Sequence, residues 1–406
     1  MTRCHHEATA GRSAWFSRHL GVARGLWHGG GGMPADGAAT FWSPCPMHRR
    51  LLLAVPLLLV GTHSGRALAA PDDTALRSLN RGAVEGAVLP GYRAFASTAT
   101  GFAAALASLA KAPSDPAALG AARNGWVEAM LAWQGVRHLR FGPAELFSRH
   151  SRVQFWPDPR DSVGQDLAQA IARRDAALLE VRPESLSNVT LLGLPAAERL
   201  LFGGEAAARL AAGDAEAAYR AALLGAIGAT LAAIGRDMLE GWTSGPNPYA
   251  AVVIEPRAPY AEPRDATLEL FRGLQLALAG VAERKFAEAL ATSQPQTLES
   301  WRAGLSGQNA VADIAAARQM FRSGFVPALE RDGKAELAAE LSRAFEATSA
   351  AAAALPLPVE EALADPDRRI ALRTLQRETA ALGGLLAEKL PPALGIPSAV
   401  TTLEAN

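Results

Sequence analysis

The stretch GDAEAAYRAALLGAIGATLAAIGRDMLEGW, from Gly213 to Trp242, constrains the fold more than any other part of this chain. Its apolar residues run around most of a helical circumference instead of forming one stripe. Such a helix belongs in the middle of a structure, wrapped by neighbours. Alanine and leucine dominate elsewhere too, while aromatics reach only 6%, which favours helix over strand. No convincing alternating segment is present, so the expected class is all-α.

Further helices read off the same way. Leu76 to Leu109 is rich in Ala and Leu and is stopped by Lys111-Ala112-Pro113. A new helix restarts with Ser114 or Asp115 as N-cap and Pro116 at the first helical position; Ala122, Trp126, Ala129, Met130 and Trp133 then recur on one face. Five prolines between Thr243 and Asp265 break any regular element there, which makes the stretch an inter-domain boundary or a long ordered loop. Helical segments continue to the end, the last with Asp365 as cap and Pro366 at its first position. The expected layout is two packed helical-bundle halves, residues 70–250 and 251–406.

The start of the chain reads differently. Residues 1–46 show no periodicity. From Met47, His48-Arg49-Arg50, the apolar run Leu51 to Val60 and Ala67-Leu68-Ala69 have the parts of a secretory signal. The expectation is a true start at Met47, cleavage near Ala69/Ala70, and residues 1–69 absent from the exported protein. The apolar run is too short to cross a hydrocarbon core of about 30 Å. Cys4 and Cys45 precede Met47, so the exported chain is expected to have no thiol ligand, no disulfide and no lipid-bearing cysteine. Only His138 and His150 remain of eight histidines; a metal site would then rest mostly on carboxylates. With 40 basic and 40 acidic residues, nothing in the charge suggests nucleic acid as a partner.

Three clusters could carry chemistry. LRFGPAELFSRHSRVQFWPDPRDS, Leu139 to Ser162, is long for a connection and dense in Glu145, His150, Arg152, Trp156, Asp158, Arg160 and Asp161; a solvated loop with its aromatics tucked in accounts for it equally well. NVTLLGLPAAERLLFGG, Asn188 to Gly204, sets Glu198 in an apolar run. Leu194, Glu198 and Leu201 share one helical side. An acid in the first turn would stabilise its own helix, with or without an arginine nearby; a ligand role is the alternative. In LESWRAGLSGQNAVADI, Leu298 to Ile314, a continuous helix would put Glu299, Arg302 and Ser306 on one side, with Asn309 close by, although Gly304 and Gly307 interrupt it. HExxH, P-loop, GxSxG and dinucleotide fingerprints are absent.

In this order the clusters resemble the imelysin family of bacterial envelope proteins. VLPGYRAFASTATGFAAALASLAKAP and AARNGWVEAMLAWQGVRHLRFGPAE look like its opening helices. RVQFWPDPR is similar to its Trp-Pro-Asp loop, LLGLPAAERLLFG to its signature helix, ESWRAGLSGQN to a segment of its second half, and LPPALGI to its C-terminal end. The resemblance implies an all-α fold of two bundle-like halves around a cleft, a periplasmic location and a link to iron acquisition. Family members were first described as metallopeptidases, and some iron-uptake proteins carry the domain as a metal-binding module. The family signature often reads Gly-x-His-x-x-Glu; here Gly193 and Glu198 match, but Pro195 replaces the histidine and offers no ligand atom. The acidic ending of many relatives is replaced by VTTLEAN.

The resulting expectation is a non-catalytic periplasmic binding protein of iron uptake. Its cleft would be lined by Glu198, Trp156, Asp158, Arg152 and Arg302, with Ser306 and Asn309 alongside. Glu198 would pair with an arginine or, with Asp158, form a metal site for iron or another divalent cation. The partners would be a metal ion or small ligand and envelope iron-uptake components, with the membrane engaged only through the cleaved signal. Two alternatives stand beside it: a metal-dependent peptidase in which His150 or His138 folds back beside Glu198, and a structural helical partner of an envelope protein.

Overall fold

The structure, a computed structural model, describes residues 71–180 and 189–398. The leader, the Met47 start, the signal and its cleavage site, both cysteines and the VTTLEAN ending lie outside the described residues. Among the described residues every regular element is helical.

A π-helical turn, Val84–Val88, joins α1 (Asp73–Ala83) to α2 (Leu89–Lys111) without a loop. Helix α3 (Pro116–Gln134) starts on Asp115, whose Oδ1 accepts from the N–H of Ala117 at 2.9 Å. Next come α4 (Ser162–Arg173), the short α5 (Leu194–Phe202) and the long α6 (Ala215–Thr243). Helix α6 is the all-round apolar segment of the sequence. Length and composition would let it cross a membrane, but it packs along α2, with Leu223, Ile227, Leu231, Ile234 and Met238 buried. A Cβ at Gly228 would lie 3.0 Å from Ala103 Cα. The missing side chain therefore lets the two backbones approach.

The proline-rich stretch is more regular than its sequence implies. Tyr249–Ile254 forms a helix within it, and Val252, Val253 and Ile254 are buried. The prolines sit at the edges of this element, where a missing N–H costs little. Beyond it run α7 (Pro263–Ala279), α8 (Ser306–Met320), α9 (Ala335–Ala353) and α10 (Arg368–Leu394). Helix α10 begins two residues later than expected; Asp365 still accepts from the N–H of Asp367 at 2.9 Å.

Helix α1 packs against α7 and against the π-helical turn Phe321–Phe325 at the end of α8. Buried Asn80 fixes this crossing. Its Nδ2 donates to the carbonyls of Val253 (3.3 Å) and Pro263 (3.0 Å), and its Oδ1 accepts from Thr267 Oγ1 at 2.8 Å. One apolar cluster accordingly includes residues from Leu79 to Ile396, and a smaller one joins Val281, Phe286, Leu298, Ile314 and Leu372.

Helix α3 anchors both the start of α5 and the tryptophan loop. The indole N–H of Trp126 donates to the carbonyl of Leu194 at 2.9 Å, fixing the first residue of α5. Two turns further along, the indole N–H of Trp133 donates to Gln154 Oε1 at 2.8 Å and holds the loop. Both indoles are fully buried and need such partners.

Candidate functional site

A cleft of about 400 Å³ opens between residues 154–163 and 195–199 on one side and residues 288–302 on the other. Its first wall depends on Gly193. A Cβ there would lie 2.7 Å from the carbonyl oxygen of Arg152 and 2.9 Å from that of Val153. Only glycine lets α5 start this close to the loop.

Glu198 projects from α5 and is 5% exposed. Leu194 and Leu201, on the same side, are buried with it. It lies just past the first turn rather than inside it, so helix-end electrostatics do not account for its place. Its Oε1 accepts two main-chain hydrogen bonds, from Arg302 N at 2.9 Å and Ala303 N at 3.2 Å. These belong to a single 3₁₀ turn, Trp301–Ala303, flanked by Ser300 (φ 57°) and Gly304 (φ 65°). The carboxyl thus caps a turn more than a hundred residues away in sequence. Arg302 reaches it through the backbone, while its guanidinium lies 4.3 Å over the Trp301 ring. Burial pushes the Glu198 carboxyl up to about 7, against the opposing pull of the Arg302 charge and the two N–H groups. The expected direct arginine partnership is therefore replaced by backbone capping with a guanidinium nearby.

The continuous helix expected through Glu299, Arg302 and Ser306 does not form. Left-handed Ser300 and Gly304 interrupt it, and α8 begins only at Ser306. Of the residues expected in the cleft, Trp156, Asp158, Glu198 and Arg302 line it. Arg152 is buried away from it, and Ser306 and Asn309 are buried outside its lining. Ser306 Oγ donates to the carbonyl of Glu299 at 2.5 Å and contacts Glu360. Asp158 spends both carboxylate oxygens on the start of α4, accepting from Ser162 N and Val163 N at 2.8 Å each. Arg199 pairs with Asp161 at the rim. Phe155, Trp156 and Trp301 supply aromatic surface.

Sequence reasoning missed the polar network at the cleft floor. Glu299, 1% exposed, meets Lys285, Arg137 Nη1 at 3.1 Å, Gln154 Nε2 at 2.8 Å and Asn309 Nδ2 at 2.9 Å. Burial alone would raise its carboxyl, but Lys285 and Arg137 outweigh that, and it lies below the ordinary carboxylate value. Lys285 Nζ also meets Asp313 Oδ2 at 3.0 Å and Gln134 Oε1 at 3.0 Å. Burial lifts Asp313 to about 6, with Lys285 opposing. A signal existed. Lys285 shares a buried side with Val281 and Ala289, and Asp313 with Ala310 and Ala317, the same pattern that drew attention to Glu198. The π-helical turn Gly280–Lys285 shifts the register and obscures it.

Neither histidine reaches Glu198. His150 Nε2 donates to the carbonyl of Arg137 at 2.8 Å, and the ring packs 5.1 Å from Trp133. Neither His138 nor His150 lines the cleft. Among the described residues no three His, Cys, Asp or Glu side chains are grouped so as to hold a metal ion. With Pro195 in place of an imidazole and with Glu198 Oε1 and both Asp158 oxygens taken by N–H groups, the cleft does not fit a metal centre built from protein ligands.

Compared with known proteins, residues 88–386 match the family described as Imelysin (peptidase M75). Iron-regulated protein A of Synechococcus elongatus is 25% identical over 329 residues, covering 77% of this chain and 85% of that protein. A crystal structure of an iron-regulated protein A precursor from Parabacteroides distasonis superposes with a TM-score of 0.67 at 17% identity, over 80% of this chain and 95% of that one. An imelysin-like protein from Psychrobacter arcticum gives 0.64 at 22% identity, over 82% and 99%.

Proposed function

The chain belongs to the imelysin family, and from that premise we propose that it is a non-catalytic ligand-binding protein of iron uptake in the cell envelope. The iron connection rests on relatives named as iron-regulated proteins. The envelope location rests on the signal-like segment after Met47, together with the precursor status of a structural relative.

One observation carries the binding reading. The signature carboxylate, Glu198, holds the turn that forms the opposite wall of the cleft. A carboxylate used in this way joins two walls, with Oε1 committed to the turn. The aromatic surface of Phe155, Trp156 and Trp301, with Arg199 and Arg302 at the rim, suits a small anionic ligand or a chelate that brings its own coordination sphere. Arginine forks and aromatic faces are the groups that recognise such ligands.

Calorimetric titration of the protein lacking its leader tests this. Ferric citrate is expected to bind, while Fe(II) and Zn(II) salts give no saturable heat. Glu198→Gln, which keeps the accepting oxygen, is expected to leave ferric citrate binding intact. Stoichiometric binding of the bare cations, lost in Glu198→Gln, would overturn the reading. So would chelator-sensitive peptide hydrolysis.

A further inference from the structure

Two arginines line the cleft from its two walls, Arg199 from α5 and Arg302 from the 3₁₀ turn. They are held in different ways. Arg302 is half-buried over the Trp301 ring at 4.3 Å, a contact that needs none of its five N–H donors. Among the described residues its guanidinium makes no hydrogen bond and no ion pair; only its main-chain N–H does, to Glu198. Burial and the charge of Arg199 hold the Arg302 guanidinium below its ordinary value, with Glu198 and Asp161 opposing. The two cations are therefore within electrostatic reach of each other.

Arg199 is paired with Asp161. Gly164 leaves room for the pair: a Cβ there would collide with Asp161 Oδ2 and lie 2.7 Å from Arg199 Nη1. The Asp161 carboxylate meets no other donor among the described residues. It precedes α4, but Asp158 supplies the acceptors for that helix start. Its backbone is left-handed (φ 55°) and its side chain is 59% exposed. An ion pair so exposed is weak and can exchange one carboxylate for another. The other acids of the lining are occupied or screened. Asp158 accepts from α4, Glu198 Oε1 from the turn, and Glu299 is met by Lys285 and Arg137. Glu288 is exposed, where salt and solvent screen it.

We propose that Asp161 stands in for a carboxylate of the ligand: the cleft takes a di- or tricarboxylate, free or as a metal chelate, that bridges Arg199 and Arg302 and displaces Asp161 as it enters. This inference rests on the anionic-ligand reading above and adds the ligand's class and the residue that tunes its affinity. A single carboxylate can engage Arg302 or replace Asp161 on Arg199. Two carboxylates on one molecule do both.

The test is calorimetric titration of the leaderless protein with sodium citrate, ferric citrate and sodium acetate. The proteins compared are the parent, Asp161→Asn, Arg199→Gln, Arg302→Gln and the Asp161→Asn/Arg199→Gln double variant. Citrate, with or without iron, is expected to bind saturably, and acetate to give no saturable heat up to about 10 mM. Asp161→Asn should tighten citrate about threefold, the strength of one exposed ion pair. Arg199→Gln and Arg302→Gln should each weaken it about tenfold. In the Arg199→Gln background, Asp161→Asn should no longer tighten citrate, because the competitor has lost its arginine. The inference is overturned if Asp161→Asn fails to tighten citrate, if it tightens equally with and without Arg199, if acetate matches citrate, or if neither form of citrate binds Asp161→Asn. Ferric citrate binding that ignores Asp161 would sink this inference and leave the iron-uptake reading standing. Coupled binding of iron-free citrate, with none of ferric citrate, would do the reverse.

Discussion

Glu198 and Glu299 are buried almost equally, at 5% and 1% exposure, yet their surroundings push them in opposite directions. Glu299 has Lys285 and Arg137 in direct contact and stays below the ordinary carboxylate value. Glu198 has two backbone N–H groups, with the guanidinium of Arg302 turned onto a tryptophan, and rises to about 7. Burial by itself does not say what a carboxylate is for. Glu299 is half of a charge-compensated floor, whereas Glu198 is a joint between two walls that tolerates a proton.

The largest test of this contrast falls on the floor. Lys285→Met leaves Glu299 and Asp313 facing each other in the interior. It is expected to cost about 3–5 kcal/mol in urea unfolding, as breaking a buried ion pair does. A loss under about 1 kcal/mol would mean that the network is compensated elsewhere.

At the joint, Glu198→Ala strands two N–H groups and leaves a void, and should cost about 2–4 kcal/mol. Glu198→Gln preserves the acceptor and should remain within about 1 kcal/mol of the parent near pH 4.5, where the buried carboxyl holds its proton. If both variants were equally damaging, Glu198 would need its charge, and the contrast with Glu299 would collapse.

The pH dependence separates the two sites next. The folded-state value of Glu198, about 7, exceeds its ordinary value of 4.5. The folded protein therefore keeps a proton that the unfolded chain has lost. The associated stability is fully present below about pH 4.5 and is lost as the pH rises through about 7. Relative to Glu198→Gln, the parent should lose about 3 kcal/mol across that window. Chemical denaturation of both proteins at several pH values measures it. Glu299 acts in the opposite sense: its stabilisation is present above its ordinary value and is lost on acidification.

The smallest effect comes from the histidines. Both are held neutral below their ordinary 6.5, so the unfolded chain takes up protons first and stability falls as the pH drops. Each should contribute about 1 kcal/mol of loss between pH 6.5 and 5.5. A thermal-melting series of His150→Gln should show a shallower acid limb than the parent; an unchanged limb would mean that His150 is not buried as neutral imidazole.

Much of the fold was legible locally. The Asp115-Pro116 start of α3, the all-round apolar helix α6 and the burial of Glu198 with Leu194 and Leu201 all come from spacing over a few residues. The features that escaped depended on distant partners or on single backbone angles. Glu198 meets a turn 104 positions away, and that turn exists because Ser300 and Gly304 take left-handed conformations that a helical pattern cannot foresee. The prolines between Thr243 and Asp265 hid a buried helix because they flank it rather than enter it. Arg152, Ser306 and Asn309 were placed at the cleft by proximity in sequence, but folding turned them into its supports.

The central claim is that Glu198 ties two walls together as a proton-binding joint rather than as a metal ligand. Carbon-13 NMR of protein labelled at the glutamate carboxyls tests it most directly, with Glu198→Gln to assign the resonance. The account predicts one signal that titrates near pH 7 and does not move when stoichiometric Zn(II) or Fe(II) is added. A signal that titrates at the ordinary carboxylate value, or that shifts or broadens on adding one equivalent of metal, would contradict it.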